Sequence, residues 1–188
     1  MPLTKLKAVE QNTWLRSGGG PERDGVCYYM CNFIESDQGP WDNPGSFANA
    51  LSSARDFGQG TAMMNYAKAQ NLRKAPQNPL ELYQNLMGNA LEADRIYRGC
   101  LWVGKENERP GMPNHEIIIV TGAVNNDIVY FEPNFGFFQP SEPTLNNREA
   151  LEYWINQQYR GSGWVADYFR YYNVRSNSTA TPKGFLLN

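Results

Sequence analysis

This 188-residue chain has very little imidazole and thiol: one histidine, His115, and three cysteines, Cys27, Cys31 and Cys100. An odd, sparse set of cysteines does not make the disulfide framework of a small secreted scaffold, which uses even numbers at higher density. A reduced compartment is the expectation. No stretch approaches the roughly 18 apolar residues of a spanning helix. Met1-Pro2-Leu3-Thr4-Lys5-Leu6-Lys7 carries positive charge with no apolar region behind it, so neither a membrane span nor a general secretory signal is expected. Seventeen Lys and Arg against 19 Asp and Glu give a formal charge of −2. Without a basic cluster there is no footprint for nucleic acid or an anionic membrane surface.

What the chain does have is apolar surface, 41% hydrophobic and 13% aromatic residues, enough to bury a core in a single domain. The first 20 residues read as an irregular, flexible segment. Ser17-Gly18-Gly19-Gly20-Pro21 is a hinge rather than a phosphate loop, because no Lys-Ser/Thr follows it. Asp24 can cap a helix from about Gly25 to Glu35, with Cys27 in its first turn. Ser46 can cap a second helix to Phe57, Thr61 starts a third to about Arg73, and Pro79 a fourth with apolar residues at helical spacing through Met87.

After Gly99 the pattern turns to strands: Cys100 to Val103, Glu116 to Ala123, then Ile128 to Phe131 beyond an Asn125-Asn126-Asp127 turn. These last two form a hairpin with His115 and Glu132 near one end, provided that an offset or bulge aligns them. A short strand over 135–139, a helix carrying Leu151, Trp154, Ile155 and Gln158 on one face, and a strand over 164–174 complete a domain spanning 21–175. Residues 176–188 read as a tail. Helices first and antiparallel strands later predict an α+β fold.

If the chain performs imidazole-assisted nucleophilic chemistry, the roles fall by elimination on His115 and a cysteine at a helix start. A free thiol with a pKa near about 8.5 is mostly protonated at neutral pH, and a helix N-terminus with an adjacent imidazolium pulls it down. Cys27 is placed to receive both effects. Glu132 lies 17 residues after His115 (132−115), where a carboxylate could fix the histidine tautomer and stabilise its cation. An oxyanion could be held by the Cys27 amide and a side-chain donor, for which Gln11 or Asn12 is a candidate upstream.

Gly25-Val26-Cys27 at a helix start, Asn114-His115 opening an apolar strand, and Tyr130-Phe131-Glu132-Pro133-Asn134-Phe135-Gly136 together resemble the YopT-type cysteine protease family of bacterial effectors. The resemblance covers about 110 residues, Cys27 to Gly136 (136−27+1). Its last block reads aromatic-Asp-Pro-Asn-aromatic-Gly in that family, so Glu132 replaces an Asp. The resemblance implies a papain-like fold, with a nucleophile helix in an N-terminal helical part packed on a C-terminal antiparallel sheet. It implies Cys27 as nucleophile, His115 as general base and position 132 as the orienting acid, with Asn134 the alternative third member. It further implies a protein substrate in a target or host cell, export by a specialised secretion system with a secretion chaperone, and no cofactor or metal.

Other readings of the same residues stay open. The same groups serve glutamine deamidation on a protein, or a peptidoglycan amidase. Cys27 and Cys31 could be core thiols, His115 an ordinary hydrogen-bonded residue, and Glu132-Pro133-Asn134 a strand-ending turn. Cys27, Cys31, Cys100 and His115 are also the ligand types of a closed zinc site, which would make the chain a zinc-stabilised or inactive binding module.

Overall fold

A computed structural model describes residues 3–9, 26–42, 46–58, 60–72, 90–111, 113–142 and 144–173. Among them, strand β1 (Leu3–Ala8) is followed by helices α1 (Cys27–Glu35), α2 (Phe47–Arg55) and α3 (Gly60–Leu72). Strands β2 (Ile96–Lys105), β3 (His115–Thr121), β4 (Ile128–Glu132) and β5 (Gly136–Pro140) come next, then helix α4 (Asn147–Arg160) and strand β6 (Trp164–Asn173). The strands form one sheet in the order β1-β5-β4-β3-β2-β6, with every neighbouring pair antiparallel. This is the α+β arrangement that the sequence predicts.

The sheet is covered on both faces. On one side Cys27, Met30, Cys31, Phe33 and Ile34 of α1 share a core with Ile118, Val120, Val129 and Phe131, joined by Ala50 and Ala54 of α2 and Met63 and Ala67 of α3. On the other, Leu151, Ile155 and Tyr159 of α4 pack against Leu101, Ile117, Ile119, Ile128 and Tyr130. Successive strand residues point to opposite faces. A central strand covered on both is therefore apolar continuously rather than alternately, which is why Ile117-Ile118-Ile119-Val120 reads as an unbroken run and why all of β3 is buried.

Local chemistry sets several element ends. The Ser46 hydroxyl caps α2 by accepting from the Asn49 amide at 3.2 Å, as the sequence predicts, and α2 ends at Arg55 rather than Phe57. Asn146 and Glu149 form a reciprocal capping box that starts α4, satisfying two otherwise orphaned backbone donors. The expected helix start at Gly25 shifts to Cys27, with Val26 as N-cap. Asp24, the helix expected from Pro79 and the tail 176–188 lie outside the described residues.

Two expectations need correction. Leu3–Ala8 is not irregular: it pairs with β5, Leu3 opposite Pro140 and Ala8 opposite Gly136. Gly136 permits this approach, since it has φ +129° and an added Cβ would lie 2.1 Å from the Lys7 carbonyl oxygen. β2 also starts four residues before Cys100 (100−96), because the charge of Arg98, which interrupts the apolar pattern, is neutralised inside the fold.

Candidate active site at the end of the central hairpin

The β3–β4 hairpin has Ile118 opposite Phe131 and Thr121 opposite Ile128. Extending that register puts Glu132 opposite Ile117, two residues from His115, so the two side chains are diagonal neighbours on one face. The offset expected from the sequence is met without a bulge, since the pairing is centred before Asn126, the turn residue at φ +76°. His115 Nε2 and Glu132 Oε1 are 2.5 Å apart, and both side chains are essentially sealed from solvent, 1% and 0% exposed.

Asn114 fixes where β3 begins. Its amide donates to the Leu101 carbonyl at 3.0 Å, its side chain accepts from the Val103 amide at 2.7 Å and donates to the Val103 carbonyl at 2.8 Å. These bonds extend the β2–β3 ladder by one side chain and pin the backbone entering His115. After Glu132 the chain turns tightly: the Phe135 amide donates to the Glu132 carbonyl at 2.8 Å, and the Asn134 amide donates to Glu132 Oε1 at 3.0 Å. The Asn134 side chain donates to the Tyr159 hydroxyl at 2.8 Å. Tyr159, from the last turn of α4, presents its ring to the imidazole in an edge arrangement, centroids 6.2 Å apart at 83°.

Cys27 occupies the first position of α1 and is fully buried. A hydrogen bond from the Glu116 backbone amide favours its thiolate, but burial, reinforced by Cys31, Glu116 and Glu132, pushes the thiol well above its ordinary range. The sequence predicts the opposite balance, from the helix terminus and an imidazolium. The difference has a physical cause: desolvation disfavours the charged sulfur, and carboxylates crowd it from both faces of β3. Glu132 thus lies within electrostatic reach of the Cys27 sulfur, and so does Tyr159, whose hydroxyl is pushed up by burial first, then by Glu132 and further by Cys27.

The zinc alternative does not fit this arrangement. Cys100 pairs with Glu116 and Leu101 with His115, so the Cys100 and His115 side chains leave the sheet on opposite faces. No group of three or more His, Cys, Asp or Glu side chains is gathered for a metal among the described residues. Cys31 lies one turn beyond Cys27 in the core under α1. Gln11 and Asn12 lie outside the described residues. The described N-terminal residues end just past β1 at Val9, whose amide donates to the Phe135 carbonyl at 3.3 Å.

Sequence reasoning passed over the cluster behind Cys27. Arg98 on β2 is fully buried. Its Nε donates to Glu116 Oε1 at 3.0 Å, Nη1 to Asn32 Oδ1 at 2.9 Å and to Glu35 Oε1, and Nη2 to the Tyr28 carbonyl at 3.0 Å. The Tyr172 hydroxyl donates to the same Glu116 oxygen at 2.9 Å. The signal that could have found it is a charge inside each of two core strands, Arg98 and Glu116, since such charges are buried only when paired.

No family model matches the chain, and no curated protein sequence matches it. Among solved structures, the crystal structure of the Pseudomonas avirulence protein AvrPphB is similar at 16% identity, covering 85% of this chain and 98% of that one with a TM-score of 0.34. A superposition of that quality does not define a shared fold. No helix among the described residues is long and apolar enough to cross a membrane.

Proposed function

We propose that the chain is a papain-like cysteine hydrolase that cleaves an amide bond in a protein through Cys27, His115 and Glu132. The observation that carries this reading is the buried 2.5 Å contact between His115 Nε2 and Glu132 Oε1, with the chain's helix-N-terminal thiol held against the next residue of the same strand. A lone histidine that only fills space does not need a desolvated carboxylate on one nitrogen and a thiol beside its strand. That combination is what nucleophile activation requires.

With Nε2 committed to Glu132, His115 Nδ1 is the nitrogen that takes the Cys27 proton. The resting sulfur is a thiol, so His115 acts as a general base on it rather than meeting a preformed thiolate. The sulfur attacks the carbonyl carbon, and the imidazolium, stabilised by Glu132, returns its proton to the leaving amine. Water activated by His115 then hydrolyses the thioester, regenerating the thiol and releasing a carboxylic acid. The candidates to meet the developing oxyanion are the Cys27 amide, at the first position of α1, and the side chain of Gln11 or Asn12. A well-aimed donor contributes about 2.7 to 4 kcal/mol in the transition state. Asn134, whose side chain is engaged by Tyr159, is the weaker candidate for orienting His115. The resemblance of these sequence blocks to effector proteases makes the intended substrate a protein of another cell, reached by specialised export with a secretion chaperone.

The test is limiting iodoacetamide with mapping of the modified peptide, followed by product analysis on candidate protein substrates. Labelling of Cys27 ahead of Cys31 and Cys100, lost in His115→Ala, is expected, as is complete loss of turnover in Cys27→Ser. New chain termini identify a protease. Ammonia release with a gain of about one mass unit and no cleavage identifies a glutamine deamidase using the same groups. Equal, slow labelling of all three cysteines, unaffected by His115→Ala, would sink the enzymatic reading and leave a binding module.

A further inference from the structure

We infer that Arg98 is a positioning residue for this site: one guanidinium sets the nucleophile helix against the histidine strand. The inference rests on the Cys27–His115 reading above. On the α1 side, Arg98 engages the Tyr28 carbonyl, the Asn32 side chain and the Glu35 carboxylate. These residues are at i, i+4 and i+7, one stripe of the helix, so their common partner fixes both the rotation and the axial position of α1. Tyr28 directly follows Cys27, and its ring also lies under the guanidinium, 5.0 Å from centroid to Cζ. On the strand side Arg98 holds Glu116, the residue after His115.

The Glu116 backbone amide is the group hydrogen-bonded to the Cys27 sulfur. Arg98 therefore grips both partners of the contact that brings thiol and imidazole strand together: the helix through Tyr28, Asn32 and Glu35, the strand through Glu116. Tyr172 holds Glu116 from β6, so the carboxylate is anchored from two strands. A lysine cannot replace this, because its single ammonium lacks the planar fork that spans Glu116 and α1 at once. Arg98 touches neither substrate nor the reacting atoms. Its effect is geometric and shows up as coupling between Cys27 and His115.

The coupling is read from iodoacetamide labelling of Cys27, mapped by mass spectrometry in the full chain. In the wild-type background, His115→Ala is expected to slow that labelling by roughly 10²-fold, the lower end of a positioned general base's contribution. In Arg98→Lys, with a cooperative thermal transition retained, most of that dependence on His115 is expected to vanish. A purely structural Arg98 would lower the melting temperature and leave the dependence intact, which overturns the inference alone. No effect of His115→Ala on Cys27 labelling in the wild-type background would overturn the proposed function itself. Glu35→Gln, which removes one α1 arm at a side chain 16% exposed, gives the same comparison if Arg98→Lys does not fold. A partial loss of the dependence is expected there, and an undiminished one would refute the role.

Discussion

His115 and Glu116 are neighbours on β3, and they send the strand's two buried ionic contacts to opposite faces of the sheet. Toward α4, His115 meets Glu132. Glu132 Oε1 also takes the Asn134 amide, and a side-chain hydrogen bond with Tyr159 contributes to raising that tyrosine's pKa. Toward α1, Glu116 meets an arginine that is bonded on three sides and a tyrosine hydroxyl that supports it. The guanidinium does not titrate in any accessible range, so the Arg98 contact keeps its charge. One strand thus carries a saturated pair that can only hold position and, one residue away, a histidine–carboxylate pair of the kind that the proposed proton transfer would use.

The sharpest way to break the comparison is to change charge without changing shape. Glu132→Gln keeps the volume but favours the wrong His115 tautomer and withdraws the counter-charge from the imidazolium. By analogy with triad acids its turnover should fall by roughly 10⁴-fold, while the melting transition moves little. Asn134→Ala leaves the His115–Glu132 contact in place and should cost far less. Steady-state kinetics on both variants decides: a larger loss in Asn134→Ala would transfer the orienting role to that side chain.

The saturated pair should respond the opposite way. Arg98→Ala strands Glu116 and Glu35 without their cation and should cost about 3 to 5 kcal/mol of stability, the usual penalty for breaking a buried ion pair. His115→Ala leaves the buried Glu132 carboxylate with the Asn134 amide still on it and should cost less than Arg98→Ala, while on the proposed mechanism it abolishes turnover. Urea denaturation of the two variants compares them directly. Equal losses would mean that the two contacts are both simply structural.

The two pairs also differed in how far the sequence disclosed them. His115 and Glu132 sit on adjacent arms of one hairpin, so alternation and a turn at Asn126 were enough to bring them near each other. Arg98 finds Asn32 and Glu35 at separations of 66 and 63 residues, and no local period encodes a contact between a helix and a strand that far apart. β1 was missed for a related reason. Leu3-Thr4-Lys5-Leu6-Lys7-Ala8 has only two aliphatic anchors and exposed lysines, as an edge strand should, and its partner residues lie 128 (136−8) to 137 (140−3) positions away. The sign of the Cys27 shift was also beyond sequence reading, because its place at a helix start was legible while burial among Glu116, Glu132 and Cys31 was not.

Burial of all three thiols gives the smallest expected effect, and it reaches both faces. Cys27, Cys31 and Cys100 are each pushed well above the ordinary thiol range, in every case by burial first. A group whose folded pKa is raised contributes stability that is fully present below its unfolded pKa and lost as pH rises toward the folded one. For cysteine that window opens near about pH 8.5, where the unfolded chain begins to release protons that the folded chain retains. Each thiol should then cost up to about 1.4 kcal/mol per pH unit, with the buried tyrosines adding to the slope nearer pH 10. Urea midpoints measured between pH 7 and 9.5 should stay level and then fall, and Cys31→Ala or Cys100→Ala should each flatten the fall relative to its own neutral-pH stability. Cys27→Ser sharpens the comparison, because in the proposed mechanism its sulfur alone has an imidazole, that of His115, to accept its proton inside the fold. If removing Cys27 flattens the slope less than removing Cys31, His115 is already sharing that proton in the resting protein. If it flattens the slope equally, the proton stays on sulfur until substrate arrives.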